Sequence, residues 1–143
     1  MSITKEFNLT SKVYLHEGKA IKYISRPFIK ILIGYNLQIS KTPIKCLVDS
    51  GCDQNLFPAY WGEFIGINIK SGVETIYKGI GRNTICAYGH HLKIYVPDSK
   101  INFITRIDFS YEQQLPLLGR VGFFDHFKKV IFDEENSKFI LNY

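Results

Sequence analysis

The apolar positions of this chain fall in short runs rich in Ile, Val, Phe and Tyr, each cut by Gly, Asn, Asp or Pro. Strands separated by tight turns leave that trace, because β-branched and aromatic side chains suit a pleated surface and the interrupting residues supply the turns. Strands are predicted over residues 28–35 (Phe-Ile-Lys-Ile-Leu-Ile-Gly-Tyr), 44–48 (Ile-Lys-Cys-Leu-Val) and 73–80. Over 91–96, Leu92, Ile94 and Val96 alternate with His91, Lys93 and Tyr95; over 101–109, Ile101, Phe103, Ile107 and Phe109 share one parity. A period of two marks a strand buried on one face.

Helical signals are few. Pro58 opens a short helix through Ala59–Phe64, since its fixed φ suits a first helical position. A second short helix is predicted over 119–127, where Phe123, Phe124 and Phe127 stand at i, i+1 and i+4. Lys129–Phe132, a polar turn at 133–137 and Lys138–Leu141 read as a terminal hairpin. The expected architecture is mainly β: a small closed barrel or sandwich with one short C-terminal helix. Residues 1–25 are more polar and less periodic, an arm or an added strand ahead of the regular pattern.

A chain of 143 residues has room for one core. Hydrophobic residues at 45% against 22% charged, with 9 Tyr and 11 Phe, supply that core and exclude disorder. No apolar run approaches the roughly 20 residues of a membrane span, and the first residues lack the apolar centre of a signal peptide. A cytoplasmic protein without membrane association is expected. Cys46, Cys52 and Cys86 form no CxxC pair, which argues against a disulfide framework and a thiolate zinc site and suits a reducing compartment. The formal charge of +5 is spread along the chain, with Lys128-Lys129 the tightest basic group. That distribution describes a solvated basic surface, not a nucleic-acid patch.

One segment stands apart. In Cys46-Leu-Val-Asp49-Ser50-Gly51-Cys52-Asp53 an apolar strand runs straight into a carboxylate, a small hydroxyl residue and a glycine. A strand end holds a carboxylate rigidly, Ser50 can bond neighbouring backbone, and Gly51 permits a tight turn and the close approach of a second chain or a substrate. An ordinary strand-to-turn junction can carry the same three residues. Farther along, Gly79 and Gly81 bracket Ile80 between strand-like segments, which suits a mobile hairpin tip.

Together these pieces resemble the retropepsin-like aspartic proteases. The Asp49-Ser50-Gly51-Cys52-Asp53 segment is similar to that family's active-site loop. Arg26-Pro27-Phe28-Ile29-Lys30-Ile31-Leu32-Ile33-Gly34 resembles its first core strand, Lys78-Gly79-Ile80-Gly81-Arg82 its flap, and Leu117-Leu118-Gly119-Arg120 its approach to the C-terminal helix. The four motifs come in the family's order across residues 26–141, so a protease domain over 26–143 is implied and residues 1–25 stay unmatched. Arg82-Asn83 departs from the most glycine-rich flaps.

The resemblance implies a peptide-bond hydrolase with catalytic Asp49, Ser50 and Gly51, in which two carboxylates share a proton and activate a water. Substrate is expected against Asp53, Gly79, Ile80 and Gly81. Only one Asp-Ser-Gly is present, so a second Asp49 must come from a second copy, giving a homodimer acting on peptides or proteins without a cofactor or metal. Arg120 is expected to pair with Asp53, and Arg26 to reach Asp53 of the partner subunit. The C-terminal Lys138–Tyr143 is expected as an unpaired strand available to an intersubunit sheet.

Three rival readings stand beside this one. Cys86, His90 and His91 suggest a metal, but adjacent histidines on a strand point to opposite faces. A binding module without turnover on the same dimeric fold is the main alternative. A basic barrel for single-stranded nucleic acid fits the aromatic content, yet the Phe residues sit mostly at core parity.

Overall fold

In the computed structural model, which describes residues 2–143, the alternation over 28–35 becomes one wall of the core: Ile29, Ile31 and Ile33 are buried. The strands are β1 (Thr4–Asn8), β2 (Thr10–His16), β3 (Lys19–Arg26), β4 (Phe28–Tyr35), β5 (Gln38–Ile39), β6 (Ile44–Val48), β7 (Leu56–Pro58), β8 (Val73–Lys78), β9 (Thr84–Tyr95), β10 (Asn102–Ser110), β11 (Leu117–Leu118), β12 (Lys129–Asp133) and β13 (Lys138–Asn142). One helix, α1 (Ala59–Phe64), follows β7, with Pro58 at φ −56° ahead of it.

Strand β4 divides its pairing. Phe28–Ile31 bond to β6, and Leu32–Gly34 bond to β9. That split closes β4, β6, β11, β7, β10 and β9 into a ring within the eight-stranded sheet β5-β4-β6-β11-β7-β10-β9-β8, with β5 and β8 attached outside it. Inside, Phe57 meets Phe109 edge to face at 6.2 Å, while Phe103, Phe123 and Phe127 cluster at 5.0–6.1 Å.

The chain ends fold together. Strands β1 and β12 flank β13 in a three-stranded sheet, β1-β13-β12, and Phe7 stacks on Phe139 at 4.8 Å. The C-terminal strand is therefore not unpaired, contrary to the sequence expectation, because residues 4–8 of its own chain occupy the edge that a partner was expected to fill. Strands β2 and β3 form a separate hairpin.

The helix expected over 119–127 shrinks to a single 3₁₀ turn at Phe124–His126. Gly122 lies at φ +100°, which interrupts a right-handed helix. Its carbonyl is taken by the Thr105 hydroxyl at 2.6 Å, so it is directed toward β10.

Candidate active site

Asp49 is the first residue beyond β6. Strand β11 is inserted between β6, to which it runs parallel, and β7, to which it runs antiparallel. The loop 49–55 therefore leaves one neighbour of β11 and returns as the other. The Asp49 amide donates to Leu118 O at 2.9 Å, and Cys52 N donates to Asp49 O at 3.2 Å. One carboxylate oxygen, Oδ1, accepts the Gly51 amide at 2.9 Å. A Cβ on Gly51 would lie 3.2 Å from that oxygen, tighter than ordinary contact. Main-chain bonds thus fix the Asp49 backbone and one of its carboxylate oxygens, and no other side chain pairs with the carboxylate among the described residues.

A second set of bonds fixes the loop to β11. Arg120 N donates to Cys52 O and Val121 N to Asp53 O, both at 2.8 Å. Buried Asn55 accepts from Gly119 N and donates to Arg106 O, both at 3.0 Å. Gly119 is required here, since a Cβ would collide with the Gln54 and Cys52 carbonyls. Burial raises the Cys52 thiol above its usual range, partly offset by its bond to Gln54 O and reinforced by the Asp49, Asp53 and Asp108 carboxylates. The thiolate, the reactive form, is disfavoured there.

The hairpin β8–β9 carries Gly79–Asn83 at its tip, closed by Gly79 N donating to Asn83 O at 2.8 Å. Gly81 and Arg82 adopt φ +84° and +67°, and Ile80 is fully exposed. One pair below that tip, Tyr77 of β8 donates to Asp108 Oδ2 at 2.5 Å and lies 3.2 Å from Gln54 Oε1. Arg106 Nε donates to Asp108 Oδ1 at 2.6 Å, and its Nη2 reaches Thr75 Oγ1 at 3.0 Å. Gly89 leaves the guanidinium its space, as any Cβ there would strike Arg106. Burial, then the bond to Asp108, drives the Tyr77 phenol far above its ordinary value, so it stays a donor. The hairpin is thereby tied, through Gln54, to the loop that begins at Asp49.

A retropepsin-like aspartic protease from Rickettsia conorii superposes with a TM-score of 0.60 at 16% identity, over 100% of this chain and 94% of that one. The chain has the retropepsin-like fold. EIAV protease complexed with the inhibitor HBY-793 also matches, with a TM-score of 0.50 and 20% identity over 66% of this chain and 82% of its own. No family model matches the sequence, and no curated protein does. At such identities the likeness is one of fold.

Within this retropepsin-like fold, Asp49, Ser50, Gly51 and Asp53 lie on one loop, and Gly79, Ile80 and Gly81 at the tip of the hairpin. Asp53 and Arg120 are both exposed; their neighbourhoods meet through the main chain, and no ion pair joins their side chains among the described residues. Arg120 instead stands 6.0 Å over the Phe124 ring. Arg26 has its Nε buried with no hydrogen-bond partner among the described residues. His90 is a core histidine whose Nε2 lies 2.8 Å from Ile69 O, while His91 is exposed on the opposite face.

The sequence reading missed the buried ion pair and Asn55. A signal for the first existed: Arg106 and Asp108 stand two apart on a predicted strand, hence on one face, amid apolar neighbours. Nothing local marks Asn55 as a loop clamp, because its partners lie 51 and 64 residues away.

Proposed function

We propose that the protein is an aspartic endopeptidase acting as a homodimer, with a water activated by two Asp49 carboxylates, one from each subunit. The observation that carries this reading is the setting of Asp49: its carboxylate accepts the Gly51 amide and its own amide donates to the Leu118 carbonyl at the strand end, in a fold shared with retropepsin-like proteases. Two carboxylates in contact cannot both ionise, so the pair holds one proton between them. The ionised member takes a proton from water as the water attacks the peptide carbonyl, and the protonated member donates to the carbonyl oxygen. Collapse of the tetrahedral species returns a proton to the departing amine.

The hairpin tip supplies the cover. Ile80 projects from it with no contact in the free chain, and the flanking glycines let the main chain close on an extended peptide. Substrates are accordingly extended peptides with apolar side chains about the scissile bond. Arg26, at the end of β3, is assigned to Asp53 of the partner subunit, the pairing that the retropepsin-like resemblance implies.

Digestion of a diverse peptide library, read by mass spectrometry with wild type beside Asp49→Asn, tests the assignment. Wild type should cleave, and the variant should stay folded and cleave at least about 100-fold more slowly. Equal cleavage by both proteins overturns the catalytic role of Asp49.

A further inference from the structure

Strand β5 and helix α1 enclose a cavity of about 750 Å³ that takes no residue from the Asp49 loop or the hairpin tip. Gln38, Lys41 and Thr42 stand on one wall, and Trp61, Phe64 and Ile65 on the other. Both walls are fixed from behind. Ser40 N donates to Ile33 O at 2.8 Å, and the Ser40 hydroxyl accepts from Ile33 N at 3.0 Å, which ties the first wall to β4. In α1, Ala59 and Gly62 are buried, and Gly62 lies so close to Ile69 and Phe109 that a Cβ would clash. With those residues inward, Trp61 and Phe64 line the cavity, their rings edge to face at 6.1 Å.

The lining is complementary to an apolar ligand that carries negative charge. Phe64 and Ile39 are 74% and 51% exposed, so each wall keeps apolar area that a ligand would cover. No lining residue is acidic, and Glu63 of α1 is engaged by the Tyr111 hydroxyl at 2.8 Å. A second depression of about 390 Å³ shares Gln38 and Ile39 with the first and adds Leu37, Tyr95 and Lys93, again without a carboxylate. Lys41 and Lys93 have no ion-pair partner among the described residues. Strand β5 ends its sheet and is bonded to β4 alone, which leaves a main-chain edge open to a further strand.

We propose that this face binds an extended segment of a partner polypeptide, with a large apolar side chain in the cavity and acidic residues on either side of it. The apolar side chain packs on Trp61 and Phe64, the flanking carboxylates meet Lys41 and Lys93, and the main chain runs along β5. Two adjoining depressions beside a free edge suit a chain better than a compact small molecule. In strand addition the main chain supplies affinity and the side-chain pockets supply specificity. The site stands independently of the Asp49 reading, so its ligand need not be cleaved.

Trp61 is the single tryptophan of the chain, so its fluorescence reports on this site. Three probes are titrated into the protein: acetyl-Glu-Ile-Phe-Ile-Glu-amide, acetyl-Lys-Ile-Phe-Ile-Lys-amide and phenylacetate, with mass spectrometry confirming that the peptides stay intact. The acidic peptide should shift Trp61 emission saturably and bind at least about tenfold tighter than the basic one. Phe64→Ser, at an exposed position, should weaken that binding about tenfold or more. Lys41→Glu should abolish the preference for the acidic peptide, and both variants should keep the wild-type Tm. Asp49→Asn should bind as wild type does, which separates this site from the candidate active site. No saturable shift, equal affinity for the two peptides, or unchanged binding in both cavity variants overturns the proposal. Phenylacetate binding as tightly as the acidic peptide overturns the polypeptide occupant in favour of a small molecule. Loss of peptide binding in Asp49→Asn also overturns it, by placing the peptide at the candidate active site.

Discussion

Tyr77, on the strand that leads to the hairpin tip, donates to the fully buried carboxylate of Asp108 at 2.5 Å, and Arg106 closes the same carboxylate from β10 at 2.6 Å. The hairpin is anchored through a carboxylate buried inside the sheet. Removing one member of a buried ion pair is costly, because the other is left uncompensated. Arg106→Met should therefore cost about 3–5 kcal/mol, as it strands that charge, and urea denaturation would show it. A loss within experimental error would mean that the Arg106–Asp108 pair does not hold these strands together.

Tyr77→Phe removes one donor and should cost about 1–3 kcal/mol at neutral pH. Its pH dependence carries a sign. The Tyr77 phenol is raised by burial and by Asp108, so the folded state keeps a proton that the unfolded chain releases near pH 10. The stability it contributes is complete below that unfolded value and is lost as pH climbs toward the higher folded one. Wild type should therefore lose stability on the alkaline side more steeply than Tyr77→Phe, and parallel declines would contradict the buried phenol.

Asn55 and Gly119 act on the Asp49 loop from behind. Asn55→Ala leaves Gly119 N and Arg106 O without their side-chain partner and should cost about 1–3 kcal/mol, measured by thermal unfolding. Gly119→Ala forces a methyl against two carbonyls and should destabilise by about 1–3 kcal/mol or more. If either variant kept wild-type stability, the loop would be positioned by something other than these contacts.

Much of this architecture is legible in the residues themselves. Where apolar side chains alternate, as over 28–35 and 101–109, strands form at β4 and β10, because one buried face decides the element locally. Pro58 marks the start of α1 for a similarly local reason. Over 1–25 the sequence left an arm or an added strand open, since the residues of β1, Thr-Lys-Glu-Phe-Asn, are only half buried and are ordered by a partner at least 130 residues away in β13. The aromatic spacing at 123–127 reads as helical, yet those rings pack on Phe103 and Gly122 directs the chain otherwise. At the site, Asp49-Ser50-Gly51 and the glycine-flanked Ile80 stand out by type and order. Arg106, Asp108 and Tyr77 do not, because their association arises only when β8, β9 and β10 lie side by side.

Ile80 should separate function from stability. It touches nothing in the free chain and is fully exposed, so Ile80→Asn should leave stability within about 0.5 kcal/mol. Cleavage of apolar peptides should weaken chiefly through a higher KM, as the tip loses its contact with substrate. An Ile80→Asn variant with wild-type kcat and KM would remove the hairpin tip from substrate binding.

The shared dyad is tested most directly by mixing subunits. Wild type is combined with an equal amount of Asp49→Asn, and exchange is verified with a mass-tagged chain. Random pairing leaves about a quarter of the dimers with two Asp49 carboxylates. Activity should then fall to about half that of the same amount of wild type assayed alone, because twice as many dimers form and one in four is intact. Wild-type activity untouched by exchanged Asp49→Asn chains would show that each Asp49 works by itself and contradict the account.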